Sequence, residues 1–237
     1  MEYDELLRQE RFCLIVLDSC RADVFEQVAL ERFKKYGGHY KRIWVPWCNT
    51  TTWFKSVFKE PKYDLVYISG NPIMWKFAKG KFRRLVEAWR VCWVDELRTT
   101  HPRCICRMAL LHVYPRMVVH FLQPHYPYLG LTRRRFSVDR AEEGLRAERD
   151  ILEGIRTGRI SREEVLTAYV RALKWALTYV GVLLEELRGP RLFVITSDHG
   201  EHLGEGGIWF HPGDARDDTG HKVLHEVPWL EIIKEGG

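Results

Sequence analysis

The chain has 237 residues, 46% hydrophobic and 29% charged, a balance that excludes fibrous and disordered classes and suffices for one large core. A net charge of +5 permits an anionic partner, but the basic residues are spread out. The runs Lys81 to Arg84 and Arg133 to Arg135 are short enough to be solvated loop charge, so nucleic acid is a weak expectation. No apolar run reaches the roughly 20 residues of a membrane span, because Arg171 and Lys174 interrupt the best one.

Residues 1–10 read as a polar helical lead-in, and Glu2, Asp4 and Glu5 do not suit a signal peptide, so the expected location is cytoplasmic. Phe12 to Leu17 is a continuous apolar run, the pattern of a buried parallel strand, and it delivers Asp18 at its carboxyl end. An amphipathic segment to Tyr36 then predicts a helix stopped by Gly37 and Gly38. Tyr40 to Val45 predicts a second strand. It leads through Pro46, Trp47, Cys48 and Asn49 to Thr50, Thr51 and Thr52, where a helix begins. A hydroxyl there faces the positive end of a helix dipole, though a threonine N-cap is an equal reading.

Asp64 to Ser69 predicts a third strand, closed by Gly70, Asn71 and Pro72. Between Ile73 and Tyr114 aromatic and basic residues alternate, which predicts helices that bury Trp75, Trp89 and Trp93 and expose charge. Met117 to Phe121 predicts a fourth strand, followed by a loop in which His125 stands between Pro124 and Pro127. Residues 137–188 read as helical. Ser161 and Glu164 form a capping-box pattern, and Val165, Tyr169, Ala172, Leu173, Ala176, Val180, Leu183 and Leu184 make an apolar stripe. After Gly189 and Pro190, Leu192 to Ile195 predicts a strand that ends at Thr196, Ser197, Asp198, His199 and Gly200. A polar loop with Asp214, Asp217 and Asp218 leads to a final strand, Val227 to Ile233.

Of the six cysteines, Cys104 and Cys106 flank one residue, and no second pair stands at zinc-finger spacing. Asparagine occurs only at 49 and 71 and glutamine only at 9, 27 and 123. That scarcity suggests a thermophilic source, in which intracellular disulfides are plausible.

Separate strand ends thus carry Asp18, the threonines, and Asp198 with His199. Two carboxylates, an imidazole and a hydroxyl could close a site for one divalent cation. The order "LIVLDSCRAD", "CNTTTWF", "HFLQPHYPY", "TSDHGEHLGEGGIWFH" and "EVPW" resembles the alkaline phosphatase superfamily, in particular its sulfatase-like branch and small members of archaeal type, across nearly the whole chain. The resemblance implies one α/β domain over 1–237, a three-layer sandwich with a mostly parallel central sheet, lacking the C-terminal subdomain. It implies Asp18, Asp198 and His199 as metal ligands, and Thr50 as nucleophile and fourth ligand, with Thr51 the runner-up. It also implies that His125 and His211 contact the substrate anion or its leaving group. Arg21, Lys222 and His221 are weaker candidates for charge near the substrate, and His202 reads as a surface residue.

Two departures shape the expected chemistry. Cys48 is followed by Asn49 and three threonines, so the Cys-x-Pro-Ser-Arg setting that directs conversion to formylglycine in sulfatases proper is absent. An unmodified threonine favours phosphoryl over sulfuryl transfer. A second metal's Asp-x-x-x-His is also absent, which favours one ion, and a histidine ligand favours Mn or Zn over Ca or Mg. The expected function is a metal-dependent hydrolase of phosphate mono- or diesters acting on a small molecule. The alternatives are a sulfatase, a phosphotransferase on sugar or lipid head groups, and a non-catalytic anion- or nucleic-acid-binding protein.

Overall fold

The computed structural model describes residues 2–131, 149–212 and 220–234. Seven strands form the central sheet: β1 (Phe12–Leu17), β2 (His39–Trp44), β3 (Tyr63–Ser69), β4 (Phe82–Val86), β5 (Arg116–Phe121), β6 (Leu192–Thr196) and β7 (Glu226–Ile233). Their order is β2-β7-β6-β1-β5-β3-β4. β7 runs antiparallel to both of its neighbours, and the other pairings are parallel.

The apolar run of β1 is explained by burial on two faces. Cys13, Ile15 and Leu17 join one core cluster, and Leu14 and Val16 join the other. A period of two in a strand covered on both sides leaves no position for a polar residue, so the sequence shows no alternation. The first cluster is completed by α1 (Ala22–Phe33), α3 (Pro102–Leu111) and α4 (Arg162–Glu186). The second is completed by α2 (Thr50–Val57) with the short helix Glu2–Leu6, through Trp53, Phe54, Val57, Tyr3 and Leu6. This is the three-layer α/β sandwich the motif order implies.

α4 matches its sequence reading closely. Ser161 and Glu164 form the capping box, and all eight residues of the apolar stripe are buried. The helical reading of 137–188 holds for 149–156 and for α4, which a turn and bend at 157–160 separate, and positions 132–148 lie outside the described residues. The loop carrying Asp214, Asp217 and Asp218 lies outside them too.

The segment 73–114 departs from expectation. It supplies the edge strand β4, a two-stranded ribbon pairing Trp93–Val94 with Thr99–Thr100, and only one helix longer than one turn, α3. Trp75 is 53% exposed, while Trp89 is buried. The alternation of aromatic and basic residues here reflects an edge strand whose Arg83 and Arg84 face water, and not an amphipathic helix. Cys92 and Cys104 are joined by a disulfide, which ties the ribbon's approach to α3. Among the described residues no helix is long and apolar enough to cross a membrane.

Candidate active site

The strand face that buries Leu14 and Val16 also carries Asp18, because residue 18 continues the same parity one step past the end of β1. Val118 and Val194 place His120 and Asp198 on that face by the same rule. Three polar groups therefore converge at the carboxyl ends of adjacent strands, on the side covered by α2, the position open α/β sheets use for ligands.

The turns that present them are held from behind. Ser19 adopts a left-handed conformation, φ 60°, uncommon for a residue with a side chain. It is fixed by its amide donating to Asp198 Oδ1 at 3.1 Å and by Tyr169 of α4 donating to its carbonyl at 2.7 Å. The Cys20 amide donates to Ser197 Oγ at 2.7 Å, which joins the loop after β1 to the loop after β6. Thr50 is the first residue of α2, and the cap is Asn49, whose side chain accepts from the Thr52 amide at 2.9 Å. The threonine hydroxyl is thereby released from capping, and it donates to Asp198 Oδ2 at 2.7 Å.

His199 Nδ1 donates to the Gly200 carbonyl at 2.8 Å, which leaves Nε2 with its lone pair. That atom is fully buried, has no hydrogen-bond partner, and lies 3.5 Å from Asp198 Oδ2 and 3.8 Å from Asp18 Oδ1. A buried lone pair facing two carboxylates is the arrangement a divalent cation satisfies, and Thr50 Oγ1 stands on the same carboxylate oxygen. The donors of Asp18, Thr50, Asp198 and His199 are of the mixed oxygen and nitrogen kind that suits one divalent cation, while the tightest grouping, with ligand atoms within 4.8 Å of one another, is Asp18, His120 and Asp198. Burial alone would raise the Asp18 carboxyl, but the imidazoles of His125, His120 and His199 bring it well below the usual carboxylate range.

His125 and His211 flank this group. The His125 amide donates to the Asp18 carbonyl at 3.1 Å, and its Nδ1 donates to the Tyr126 carbonyl at 2.5 Å, so Nε2 is presented outward. The His211 ring centroid lies 4.3 Å from that of His199 and 5.1 Å from that of His125. His211 Nδ1 shares a 2.9 Å hydrogen bond with Glu201 Oε1. Burial drives both members of this pair toward neutrality, raising Glu201 to about 8 and lowering His211 to about 3, where the charge of His125 adds to the effect.

A histidine buried neutral contributes stability that is complete above its unfolded value of about 6.5 and is lost as pH falls through that value toward 3. Glu201 acts in the opposite sense, its neutral form being favoured below about 4.5 and its contribution lost as pH rises toward 8. The metal-free protein is therefore expected to lose more stability between pH 6.5 and 4 than its His211→Gln variant. Urea midpoints measured across that range check this.

The other sequence candidates are engaged with partners of their own. The Arg21 guanidinium is held by Asp23 at 2.7 Å and by Glu205 at 2.6 Å. Lys222 is exposed, 3.9 Å from Glu226, and the His221 ring stacks edge-on to His202 at 5.0 Å. His202 itself is buried, correcting its reading as a surface residue, because it pairs with Phe210 in a two-residue hairpin under the loop.

Three residues of the site escaped the sequence reading. Asn71 donates to Asp18 Oδ2 at 2.5 Å, Glu201 orients His211, and His120 lies 3.3 Å from Asp18 Oδ2. Gly200 is required by close approach. A Cβ there would stand 1.8 Å from the Val223 carbonyl oxygen, and the Gly200 amide donates to the Leu224 carbonyl at 2.8 Å. Gly200→Ala is expected to destabilise the protein by about 3 kcal/mol through overpacking against backbone, read as a lower denaturant midpoint at unchanged slope.

The model of the sulfatase family matches residues 116–230, which include β5, β6 and the loop between Asp198 and His211. No curated protein sequence matches the chain. Among solved structures, it is similar to the integral membrane lipooligosaccharide phosphoethanolamine transferase A of Neisseria meningitidis. The TM-score is 0.69 at 13% identity over 95% of this chain, which spans 48% of that one. The C-terminal periplasmic domain of phosphoethanolamine transferase EptC from Campylobacter jejuni matches with a TM-score of 0.59 at 15% identity, covering 93% of this chain and 78% of that domain. A protein solved with its substrate D-glucosamine-2-N,6-O-disulfate matches with a TM-score of 0.62 at 11% identity, covering 95% of this chain and 71% of that one. At these identities the likeness is one of fold. The shared fold is that of alkaline phosphatase/sulfatase-like domains, and the family match, over just under half of the chain, supports placing it among them.

Proposed function

We propose that the protein is a metal-dependent phosphoesterase whose nucleophile is Thr50. The observation that carries this reading is the Thr50 hydroxyl, buried at the start of α2, bonded to Asp198 and sharing that carboxylate with the unpartnered nitrogen of His199. When bound, a divalent cation would lower the pKa of the hydroxyl and offset charge on the phosphoryl oxygens.

The chain's own groups do the rest. Asp198 Oδ2 holds the hydroxyl in one orientation and accepts its hydrogen bond. The positive end of α2 faces the oxygens of an incoming phosphoryl group. His125 and His211 hold their rings beside the cluster, where Nε2 of His211, or of His125 in its imidazolium form, can donate to a phosphoryl oxygen or to the departing alcohol. His211, neutral across ordinary pH, orients the anion without adding charge.

A transferase that passes the phosphoryl group to an alcohol is the second reading, favoured by the two similar structures named as phosphoethanolamine transferases. A sulfatase is less well supported, since Cys48 is buried just ahead of the helix cap and lacks the processing setting. The cytoplasmic, thermophilic setting suggested by the sequence is compatible with the Cys92–Cys104 bond where intracellular disulfides persist.

The deciding experiment compares p-nitrophenyl phosphate, bis-p-nitrophenyl phosphate and p-nitrophenyl sulfate with zinc or manganese, with chelator, and with glycerol or ethanolamine as acceptor. Phosphate-ester turnover lost on chelation is expected. Turnover of the sulfate alone, or turnover indifferent to chelation, would overturn the reading. A new phosphorylated acceptor identifies the transferase.

A further inference from the structure

His120 is the penultimate residue of β5 and is fully buried. Its Nε2 lies 3.3 Å from Asp18 Oδ2 and 4.0 Å from Asp198 Oδ2, without an aligned hydrogen bond to either. Asp18, His120 and Asp198 bring their ligand atoms within 4.8 Å of one another, and among the described residues they are the one such group. On spacing alone, His120 would be a metal ligand.

Its other ring nitrogen argues against that role. Nδ1 lies 2.8 Å from the Tyr67 hydroxyl, on the neighbouring strand β3, where the pairing of Ser69 with His120 brings the two side chains to the same face. Tyr67 is fully buried, and burial keeps its phenol protonated by raising it well above its ordinary value. Among the described residues that hydroxyl makes no other hydrogen bond. An orphaned buried O–H costs about 1–3 kcal/mol, so the phenol donates to Nδ1, and in the neutral ring the proton then resides on Nε2. A protonated Nε2 cannot ligate a cation, but it can donate to carboxylates.

Asp18 Oδ2 already accepts from Asn71 Nδ2 at 2.5 Å, so that oxygen faces donors. The other oxygen, Oδ1, faces His199 Nε2 at 3.8 Å. Trp53 packs edge-on against the His120 ring at 5.5 Å, which fixes its plane.

We propose that His120 is a positioning residue. The Tyr67 hydroxyl locks its tautomer, which turns an N–H toward Asp18 Oδ2 at 3.3 Å and leaves no lone pair on this side of the aspartate pair for a second cation. The proposal rests on the metal centre proposed above. It deepens that reading by separating the two histidines that face the aspartates: His199 ligates, and His120 orients.

The test uses the full chain labelled with ¹⁵N-histidine. Long-range ¹H–¹⁵N spectra of the imidazoles are recorded without metal, with one equivalent of zinc and with excess zinc. His120 is assigned by the signals lost in His120→Gln, and zinc stoichiometry and affinity are measured by calorimetry on the same samples. The His120 signals are expected to show protonated Nε2 in all three states, with one zinc bound and Nε2 of His199 shifted. His120→Leu is expected to weaken zinc about 10- to 100-fold. His120→Gln, whose amide can donate from nearly the same place, recovers part of that loss. Tyr67→Phe frees the tautomer and admits a second equivalent of zinc.

Metallation of His120 Nε2, a second zinc in the unaltered protein, or wild-type affinity in a folded His120→Leu overturns the proposal. If the unaltered protein binds no zinc, manganese, calcium or magnesium, the metal centre fails, while the metal-free spectrum still decides the lock: a proton on Nδ1 instead of Nε2 sinks it. Should His120→Leu not fold, the spectra of the unaltered protein and of Tyr67→Phe carry the decision.

Discussion

Thr50→Ala is expected to lower phosphate-ester turnover by about 10⁴-fold or more, the loss typical when a nucleophile acting within a positioned group of residues is removed. The hydroxyl it deletes is buried and bonded at 2.7 Å to Asp198, at a point where a helix aims its positive end. Three controls give the result its meaning. Metal affinity in Thr50→Ala is expected to fall by no more than about tenfold, since the two aspartates and His199 remain as ligands. Thr50→Ser, which keeps the hydroxyl, is expected to retain measurable turnover. Thr51→Ala, only partly buried on the next turn position, is expected to change turnover by less than about threefold, since surface substitutions away from a site are usually near neutral. Turnover retained in Thr50→Ala and lost in Thr51→Ala would transfer the role to the neighbouring residue.

The second large effect concerns the buried carboxylates. Asp18 and Asp198 are fully buried and face each other across the site. Burying two like charges is costly until a cation joins them. A cation present at about 1,000 times its Kd adds about 4 kcal/mol of stability. For a chain of this size that corresponds to a rise in melting temperature of about 8–16 °C. Asp198→Asn is expected to remove most of that rise while leaving the metal-free protein equally stable or more stable, because it relieves the repulsion and keeps an acceptor for the Ser19 and His199 amides. Scanning calorimetry of both proteins, with zinc and with chelator, reads the two numbers. Equal metal-dependent shifts in both would remove Asp198 from the ligand set.

What the sequence could disclose follows from how each residue is buried. β1, β5 and β6 lie inside the sheet with helices on both faces, so they are uninterrupted apolar runs, and the polar residues that end them mark the site. α4 covers one face with a continuous stripe and was legible to its cap. β4 was not, because an edge strand buries only Phe82 fully and carries two exposed arginines, leaving no period to detect. The likeness of ordered motifs pointed to Asp18, Thr50, Asp198 and His199, whose side chains the fold gathers. His120 was hidden inside an apolar strand, where a histidine reads as an interruption. Asn71 was hidden in a Gly-Asn-Pro turn, where an asparagine is accounted for by turn chemistry. Both reach the site through strand pairing, a long-range fact that local pattern does not encode. The same holds for the engagement of Arg21, whose partner Glu205 lies 184 residues away.

That long-range construction has a kinetic consequence. The contact between Ser19 and Asp198 spans 179 residues, and Thr50 meets Asp198 across 148. No local fragment of the chain holds a preformed cage, so a cation has nothing to nucleate early in folding, when long loops are still open. At the proposed centre it would arrive as a latch on an assembled sheet, and it is expected to leave the refolding rate nearly unchanged and to slow escape instead, prolonging the lifetime of the native state.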